Sequence, residues 1–400
     1  MRSPASLALH GGTPVRSSLL PYGRQKIDED DLRAVQEVLQ SDWLTTGPTV
    51  DAFEAAVAEL VGAAHGVAVT NGTAALHCAM HALGIGPGDE VIVPTMTFAA
   101  SANCAVFQGA TPVFADVDPE TLLLDPEQVR RLLTPRTRAV VAVDYAGQPC
   151  DYDALRAVTE PAGIPIVADG CHALGGSYQG VPVGSAADLT VFSFHPVKHL
   201  TTGEGGMITT ANAEWARRMR VFRNHGITTD HRQRSEKGSW FYEMVDLGYN
   251  YRLTDIQCAL GLSQLRKQRD WVRRRQEIAA HYDRELAEIP AVSPLTRRPG
   301  VSHAYHLYVV LLESERLAVP RGEVFAALRA EGIGVNVHYV PVHLHPFYRD
   351  RFGTRPGLCP VAEAAYERML SLPMFPTMSD RDVEDVLAAV RKVSDAYTSF

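Results

Sequence analysis

Two ionisable residues follow predicted strands in the middle of the chain. Asp169 closes "IPIVAD", and Lys198 lies five residues after Ser193 in "TVFSFHPVKHLTTGEGG". A carboxylate at the end of a buried strand requires a cationic or hydrogen-bonding partner. A lysine is a nucleophile only as the free amine, so its pKa must be lowered from about 10.4. Each residue taken alone also fits an ordinary turn after a strand.

A helix start and a polar cluster are two further features. The stretch "VAVTNGTAALH" is typical of a strand, a tight turn and a helix that opens at Thr73, and the free amides and dipole of a helix start suit a phosphate. In "LGYNYRLTDIQCALGLSQL", Asn250 and Arg252 precede a helix that Thr254 would cap. A plain strand-turn-helix connection would also explain the first feature, and the cap explains part of the second.

Pyridoxal 5′-phosphate (PLP) is the ligand that these features fit jointly. A phosphate cradle, a strand-end aspartate, a lysine and a nearby serine are the parts needed to hold this cofactor. The glycines of "TTGEGG" let the backbone approach a flat ligand closely. The combination therefore predicts a PLP site.

An open α/β sheet would position these residues, because such sheets bind ligands at the carboxyl ends of their strands. Between residues 66 and 210, short β-branched runs alternate with helical patterns, which predicts βαβ units and a sheet covered on both faces. From Phe194 to Gly205 there is no room for the crossover helix that a parallel neighbour needs. The sheet is therefore predicted to be mixed.

The last third of the chain has a different pattern. A long charged helix from about Leu262 is followed by the strand "HLYVVLL", a helix from Arg321 and a strand in "GIGVNVHYV". This succession is typical of a smaller α+β domain. We predict an N-terminal segment and large PLP-binding domain over residues 1–262, and a small C-terminal domain over residues 263–400.

The composition is that of an ordinary globular protein, with 46% apolar and 21% charged residues. A net charge of −8 offers no broad basic surface for nucleic acid. The sequence has no secretory signal and no run of about 18 apolar residues, so a cytoplasmic location without membrane contact is expected. The six cysteines lie far apart, which indicates neither a zinc knuckle nor a disulfide framework.

Seven stretches carry a resemblance that covers nearly the whole chain: "PYGRQKIDEDDLRAVQEVLQSDWLTTGP", "TNGTAAL", "PTMTFAASAN", "ADGCHALGGSY", "FSFHPVKHLTTGEGG", "FRNHG" and "YNYRLTDIQCALGLSQL". In this order they resemble the sugar aminotransferases of the DegT/DnrJ/EryC1/StrS family. The resemblance implies an α/β protein of PLP fold type I (aspartate aminotransferase-like), with a large mixed-sheet α/β domain and a smaller C-terminal α+β domain. Within the family, "FHPVK" followed by "TTGEGG" is most similar to the UDP-4-amino-4,6-dideoxy-N-acetyl-β-L-altrosamine transaminases of pseudaminic acid biosynthesis.

The resemblance also implies roles for individual positions. Lys198 resembles the Schiff-base lysine, and Asp169 resembles the partner of the pyridine nitrogen. The carboxylate would keep that nitrogen protonated, which makes the ring an electron sink, and Lys198 would be the base that moves the proton. The other implied roles are phosphate contacts at Thr73, Ala74 and Ser193, ring stacking at Phe98, a contact beside the ring hydroxyl at His172, a phosphate contact from the other subunit at Asn250, and substrate contacts at Arg252 and His338.

The implied reaction is a ping-pong transamination that moves the amino group of L-glutamate to a nucleotide-linked 4-keto-6-deoxy sugar, on a homodimer with shared active sites. A dTDP-linked keto sugar, a UDP-bacillosamine-type precursor or a keto-cyclitol is an alternative acceptor.

Two other classes of protein remain as alternatives. A PLP-dependent sugar dehydratase has histidine in place of the lysine, and here the histidine, His199, is only the neighbour of Lys198. A metal-binding protein would use His338, His343 and His345 of "HYVPVHLH", although no carboxylate or cysteine accompanies them at a familiar zinc spacing.

Overall fold

The computed structural model describes residues 4–398 and consists of α-helices packed on β-sheets. The strands of this part of the chain are β1 (His65–Val69), β2 (Glu90–Pro94), β3 (Thr111–Ala115), β4 (Thr137–Val143), β5 (Ile166–Asp169), β6 (Ser177–Tyr178), β7 (Val181–Pro182), β8 (Leu189–Ser193), β9 (Gly206–Thr210), β10 (Val292–Pro294), β11 (Val301–Ser302), β12 (Tyr308–Leu312) and β13 (Met369–Leu372).

The α-helices of the same residues follow the strands along most of the chain. They are α1 (Glu29–Leu39), α2 (Pro48–Val61), α3 (Gly72–Ala82), α4 (Ala100–Phe107), α5 (Pro126–Leu132), α6 (Tyr152–Thr159), α7 (Ala213–Phe222), α8 (His231–Glu236), α9 (Asp255–Leu265), α10 (Gln268–Leu286), α11 (Arg321–Ala330), α12 (Pro346–Phe352), α13 (Pro360–Arg368) and α14 (Asp380–Tyr397).

The central sheet has seven strands in the order β1-β9-β8-β5-β4-β2-β3. The strands from β8 to β3 are parallel to their neighbours, whereas β9 is antiparallel to both β8 and β1. The short loop between β8 and β9 has no crossover helix, which explains why β9 runs back along β8. The predicted mixed α/β sheet is therefore confirmed.

The strands of this sheet are continuous apolar runs in the sequence because helices cover both faces of the sheet. β2, β5 and β9 are buried along their whole length, as expected for strands that meet no solvent on either side. The helix predicted from Thr73 is confirmed as α3, and nine of its eleven residues are buried. The sheet edge at the carboxyl ends of β5 and β8 is thus held rigidly from both faces.

The C-terminal part forms a second apolar core around the antiparallel sheet β10-β12-β13. Helices α10, α11 and α14 supply much of this core, and the strand "HLYVVLL" and the helix from Arg321 are confirmed as β12 and α11. Leu7 and Leu20 from the N-terminal segment also pack in it. The N-terminal segment therefore lies against the C-terminal core.

Two predictions of secondary structure are wrong. The stretch "GIGVNVHYV" forms only isolated bridges, Leu20 with Ile333 and, at the edge strand β13, Asn336 with Ser371, so it pairs at single residues and not along a continuous ladder. The predicted long charged helix is divided at residues 266–267 into α9 and α10.

The division of the chain into domains at residue 262 stays a prediction, and this residue lies within α9. The outer ends of the two predicted domains, residues 1–3 and 399–400, lie outside the described residues. Within residues 4–398, none of the helices is both long enough and apolar enough to cross a lipid bilayer.

Candidate active site

A cavity of about 500 Å³ opens where β5, β8 and the start of α3 meet. Seven of the ten predicted site residues line it: Thr73, Phe98, Asp169, His172, Ser193, Lys198 and His338. They come from five separate stretches of the sequence, so the fold brings together most of the side chains that the sequence singled out.

The strand pairing explains how the lysine and the carboxylate reach one cavity. Asp169 pairs with Val191 in the parallel β5-β8 ladder, so the two strands end at the same edge. Ser193 pairs with Gly206 across the antiparallel β8-β9 ladder. The loop between these two residues must fold back over the strand ends, and it places Lys198 at the cavity.

The carboxylate of Asp169 is fixed by two hydrogen bonds. The hydroxyl of Ser101 donates to Oδ2 at 2.6 Å, and the backbone amide of Cys171 donates to Oδ1 at 3.2 Å. The Ser101 hydroxyl lies 2.7 Å from that of Thr97, which extends the network away from the carboxylate. Because both oxygens have partners, the carboxylate has one preferred orientation.

The start of α3 lies directly against the end of β8. Asn71 caps the helix, and its Oδ1 accepts the amide of Ala74 at 2.8 Å. A Cβ atom at Gly72 would lie 3.0 Å from Cβ of Ser193, which is closer than such contacts normally come. Only glycine therefore lets the first turn of α3 approach Ser193 without displacement.

The amine of Lys198 has one hydrogen-bond partner among the described residues, Nε2 of His306 at 3.4 Å. Burial lowers the pKa of Lys198, and the nearby Cys171 and Asp169 oppose this change. A lowered pKa increases the fraction of free amine, which is the reactive form. The setting matches the chemistry that the sequence assigned to this lysine.

Aromatic and imidazole side chains form another part of the cavity wall. Nε2 of His172 lies 3.1 Å from the hydroxyl of Tyr339, and the ring of Tyr339 lies 6.0 Å from that of Phe98. Nδ1 of His338 lies 2.8 Å from the hydroxyl of Ser371. Burial holds the pKa of His172 well below its usual range and lowers that of His338 to about 4, so both rings are neutral at neutral pH.

Three predicted site residues lie outside the cavity wall. Ala74 is buried in α3 behind the wall. Asn250 is exposed and forms a backbone bridge with Asn224. Arg252 lines a separate cavity of about 310 Å³, where it donates to Oδ1 of Asn224 at 2.8 Å.

Sequence reasoning missed four residues of the site. Tyr22, His306 and Tyr339 line the cavity, and Ser101 holds Asp169. Tyr22 and Ser101 lie inside stretches that carried the family resemblance, so their polar side chains were available as a signal. His306 directly precedes the buried strand "LYVVLL", where a polar residue at a strand end was a weaker signal.

The residues of the cavity fit PLP. The amides of Gly72 and Thr73 at the helix start have no acceptor within residues 4–398. One ring nitrogen of His172 and one of His306 are buried without a partner in the same residues. Free amides suit a phosphate, a carboxylate suits a pyridinium nitrogen and a buried amine suits an aldehyde.

The positions of the histidine side chains do not favour the alternative of a metal-binding protein. Both ring nitrogens of His343 are engaged, Nδ1 at 2.6 Å from the hydroxyl of Thr95 and Nε2 at 2.9 Å from Glu363. Within the described part of the chain, no group of three or more histidine, cysteine, aspartate or glutamate side chains is arranged to hold a metal ion.

Comparison with known proteins gives one family for almost the whole chain. The model of the DegT/DnrJ/EryC1/StrS aminotransferase family matches residues 25–391. The spore coat polysaccharide biosynthesis protein SpsC of Bacillus subtilis is 45% identical over 381 residues, which are 94% of this chain and 98% of SpsC.

Two solved structures are similar over their full length. The putative sugar aminotransferase Spr1654 from Streptococcus pneumoniae, in its PMP form, is 34% identical with a TM-score of 0.89, covering 94% of this chain and 99% of that one. Helicobacter pylori PseC, an aminotransferase involved in the biosynthesis of pseudoaminic acid, is 32% identical with a TM-score of 0.88, covering 95% and 100%.

Proposed function

Because the chain belongs to the DegT/DnrJ/EryC1/StrS aminotransferase family, we propose that it transfers the amino group of L-glutamate to a nucleotide-linked 4-keto-6-deoxy sugar. The family and the structural neighbours are PLP-dependent sugar aminotransferases, so the chain is an enzyme of this class and PLP is its cofactor. The proposed acceptor is UDP-2-acetamido-2,6-dideoxy-4-ketohexose. The products are the 4-amino sugar and 2-oxoglutarate.

The observation that carries amino transfer is the presence of Lys198 beside Asp169 in one cavity. The related sugar dehydratases have histidine where this chain has its lysine. His199 is buried, and its Nε2 lies 3.0 Å from the carbonyl oxygen of Ala304. The histidine is thus engaged elsewhere, and the amine is the group that lines the cavity, which favours transamination over dehydration.

The likeness to PseC and the stretch "FHPVKHLTTGEGG" support a UDP-linked, N-acetylated acceptor of the pseudaminic acid pathway. SpsC is named for the biosynthesis of a spore coat polysaccharide, and this name specifies no nucleotide sugar. A dTDP-linked keto sugar, a UDP-bacillosamine-type precursor and a keto-cyclitol therefore stay as alternative acceptors.

The proposed cofactor contacts follow the cavity wall. Thr73 and Ser193 would hold the phosphate through the helix start and the serine hydroxyl, while Ala74, whose amide donates to Oδ1 of Asn71, would contribute as part of the same helix turn. Asp169 would pair with the pyridine nitrogen, and His172 would lie beside the ring hydroxyl. Phe98, whose ring is 60% exposed, would stack on the ring.

When bound, PLP supplies an electron sink for the carbon that loses a proton, and it carries the amino group between the two half-reactions. Asp169, held by Ser101 and Cys171, would keep a proton on the ring nitrogen through its negative charge. Lys198 would take the proton from the donor's α-carbon with its free Nζ and move it to the cofactor. Because Lys198 lies at the wall of the cavity that would hold the cofactor, both proton transfers would take place within one complex.

His338 and Arg252 are the proposed substrate contacts, and they would act at different places. The neutral ring of His338 lies at the cavity wall, where Nδ1 lies 2.8 Å from the Ser371 hydroxyl and Nε2 lies 3.3 Å from Nδ2 of Asn336, so a sugar that contacts Nε2 would do so in place of Asn336. The side chain of Arg252 has no carboxylate partner among the described residues, and burial together with Arg223 lowers its pKa. An arginine without a carboxylate suits a phosphate group of the substrate.

A homodimer with shared sites is the proposed active unit. Residues 240–249 expose a run of large apolar and aromatic side chains: Trp240, Phe241, Tyr242, Met244, Val245, Leu247 and Tyr249. Continuous apolar surface of this kind marks an interaction site in a soluble protein. Asn250 directly follows this run, so a second copy that covers it would receive Asn250 near its own phosphate site. The proposed location of the enzyme is the cytoplasm.

The acceptor can be identified by turnover of a defined set of ketones. The enzyme with PLP and L-glutamate is offered UDP- and dTDP-linked 4-keto-6-deoxy sugars and a keto-cyclitol, and 2-oxoglutarate and the amino sugar are measured by mass spectrometry. We expect the UDP-linked N-acetylated sugar to react fastest. The Lys198→Ala variant should give no product, while Lys237→Ala, which alters an exposed lysine, should match the unmodified enzyme.

Faster turnover of a dTDP-linked sugar or of the cyclitol would replace the proposed acceptor by that compound. Product formation by Lys198→Ala would contradict the role of the amine.

A further inference from the structure

His306 is the residue of the cavity whose function neither the sequence nor the family assignment explains. It lies two residues before β12, in the C-terminal part of the chain, and its Nε2 lies 3.4 Å from Nζ of Lys198. Within residues 4–398 this is the single hydrogen bond of the lysine amine. The contact joins two residues that are 108 positions apart in the sequence.

The backbone around His306 is fixed on both sides. The buried guanidinium of Arg275 donates through Nη1 to the carbonyl oxygens of Tyr305 at 3.1 Å and His306 at 3.4 Å. The amide of Leu307 donates to the carbonyl oxygen of Ala146 at 3.1 Å. The main chain of His306 therefore cannot move away from Lys198 without breaking these hydrogen bonds.

The glycine at position 147 provides a second restraint. A Cβ atom there would lie 2.7 Å from the carbonyl oxygen of His172 and 3.0 Å from the amide nitrogen of His306, so the two histidine backbones meet at a point where only glycine fits. The two imidazole rings lie 4.4 Å apart between centroids. The position of the His306 ring is thus set by close packing.

The charges around the ring decide which partner accepts the hydrogen bond. Burial holds the pKa of His306 well below its usual range, and Lys198, His172, His199 and Arg275 all act in the same direction. When Lys198 is an ammonium group it can only donate, so Nε2 of the neutral imidazole then accepts and the ring proton lies on Nδ1. An ammonium group donates more strongly than a neutral amine, so this contact favours the protonated lysine.

We propose that His306 is the positioning residue of the Lys198 amine: whenever Nζ is not bonded to the cofactor, Nε2 accepts its hydrogen bond and holds it at the cavity wall. The lysine side chain is long and flexible, and an unheld amine would move away from the reacting atoms between the two half-reactions. The contact also sets how readily the amine loses its proton. This inference rests on the proposed role of Lys198 as the catalytic amine.

The test measures the lysine directly in the cofactor-free, full-length protein. Trace labelling with isotopic acetic anhydride at a series of pH values, followed by mass spectrometry of the Lys198 peptide, gives the pKa of this amine. His306→Phe removes the acceptor while it keeps a planar ring. We expect the midpoint of labelling to move down by about one pH unit, as loss of a hydrogen bond to a charged donor implies.

Two further variants separate positioning from mere packing. His306→Gln restores an acceptor and should return the midpoint most of the way to that of the unmodified protein. His303→Phe changes another buried histidine three residues earlier, which has no contact with Lys198 among the described residues, and should leave the midpoint unchanged. If His306→Phe does not fold, His306→Leu serves the same purpose with less bulk.

An unchanged midpoint in the apolar variants would overturn the proposal, and so would equal shifts in the glutamine and phenylalanine variants. Because the measurement needs neither PLP nor sugar, its result is independent of which acceptor the enzyme uses. A failed turnover assay with a normal labelling shift would reject the proposed function and leave the positioning role intact.

Discussion

Asp169 and Lys198 act at the scale of single residues, and their environments differ in a way that matters for catalysis. The oxygens of Asp169 are held by Ser101 and by the amide of Cys171. Among residues 4–398, Lys198 has one hydrogen-bond partner, the neutral His306, and burial lowers the pKa of the lysine. The carboxylate is therefore fixed at both oxygens, while the amine is held by a single hydrogen bond that proton transfer can break.

The charge of Asp169, and not only its shape, should determine the rate of the first half-reaction. Asp169→Asn keeps the side-chain volume and can still hydrogen-bond the ring nitrogen, but it removes the negative charge that keeps this nitrogen protonated. We expect PLP to remain bound and the reaction with glutamate to slow by about 100-fold, if about 3 kcal/mol of transition-state stabilisation is lost. Stopped-flow absorbance with glutamate measures this rate.

Asp144→Asn is the matched control for this prediction. Asp144 follows the neighbouring strand β4 and is equally buried, but Tyr152 and the amide of Cys150 occupy its carboxylate, and it does not line the cavity. The control should react at a nearly normal rate. A nearly normal rate for Asp169→Asn would instead make Asp169 a structural residue.

At the scale of elements, the site depends on how closely the start of α3 approaches the end of β8. The helix opens with a capped turn, and a Cβ on its first residue, Gly72, would meet Ser193 and Cys171. The cap fixes the helix start, and the glycine fixes its distance from the strand. Both features are local in sequence, which is why the turn could be predicted there.

Gly72→Ala should weaken PLP binding more than it changes folding. The new Cβ would meet Ser193 Cβ at 3.0 Å and Sγ of Cys171 at 3.3 Å, so the helix start must move back by a few tenths of an ångström. We expect the Kd of PLP to rise about tenfold, which corresponds to about 1.4 kcal/mol. Titration of PLP into the cofactor-free protein, followed by fluorescence, measures this change.

Gly86→Ala provides the control, because a Cβ at Gly86 would meet no atom within 4 Å. Its Kd should equal that of the unmodified protein. An unchanged Kd in Gly72→Ala would show that Ser193 and the helix can separate at no cost to the phosphate site.

At the scale of the whole molecule, buried histidines link folding to pH. Burial lowers the pKa of His77 and His338 to about 4 and that of His303 to about 3, and holds the pKa of His172, His199 and His306 well below the usual range. In the unfolded chain each would titrate near a pKa of about 6.5. The unfolded state therefore binds more protons below this pH.

The free energy of unfolding should consequently fall as the pH decreases from about 6.5 to 5, because the folded-state pKa values lie below the unfolded ones. Each histidine contributes a slope of at most about 1.4 kcal/mol per pH unit. His77→Phe, in an aromatic cluster with Phe107, Phe222 and Tyr249, should reduce the total slope by about that amount. Urea unfolding at a series of pH values measures the slope.

His231→Gln alters an exposed histidine and should leave the slope unchanged. Equal slopes for His77→Phe and the unmodified protein would mean that His77 is protonated to the same degree in both states.

The proposed sharing of sites between subunits is also tested at the scale of the whole molecule. If Asn250 serves the partner's site, mixing inactive Lys198→Ala with inactive Asn250→Asp subunits should restore part of the activity, because one site of each hybrid is then intact. Turnover after verified subunit exchange measures the recovery. Its absence would indicate that each chain uses its own Asn250.

The sequence by itself determined the chemistry of the site and the sheet that carries it. Apolar strand runs, the Asn-Gly turn before α3 and the missing crossover between β8 and β9 are local signals, since each depends on residues that are adjacent in the chain. They were sufficient to predict the mixed sheet. The order of Thr73, Asp169, Ser193 and Lys198 along these elements was sufficient to predict a PLP site.

Only the tertiary structure decided which side chains face Lys198. His306 and Tyr339 belong to the C-terminal part of the chain, and they reach the cavity because that part packs against residues 145–147. The stretch around Tyr339 looked like a strand in sequence, yet it runs between the two cores. Contacts between residues more than a hundred positions apart leave no periodic pattern in the sequence, so they became visible only once the two cores were in place.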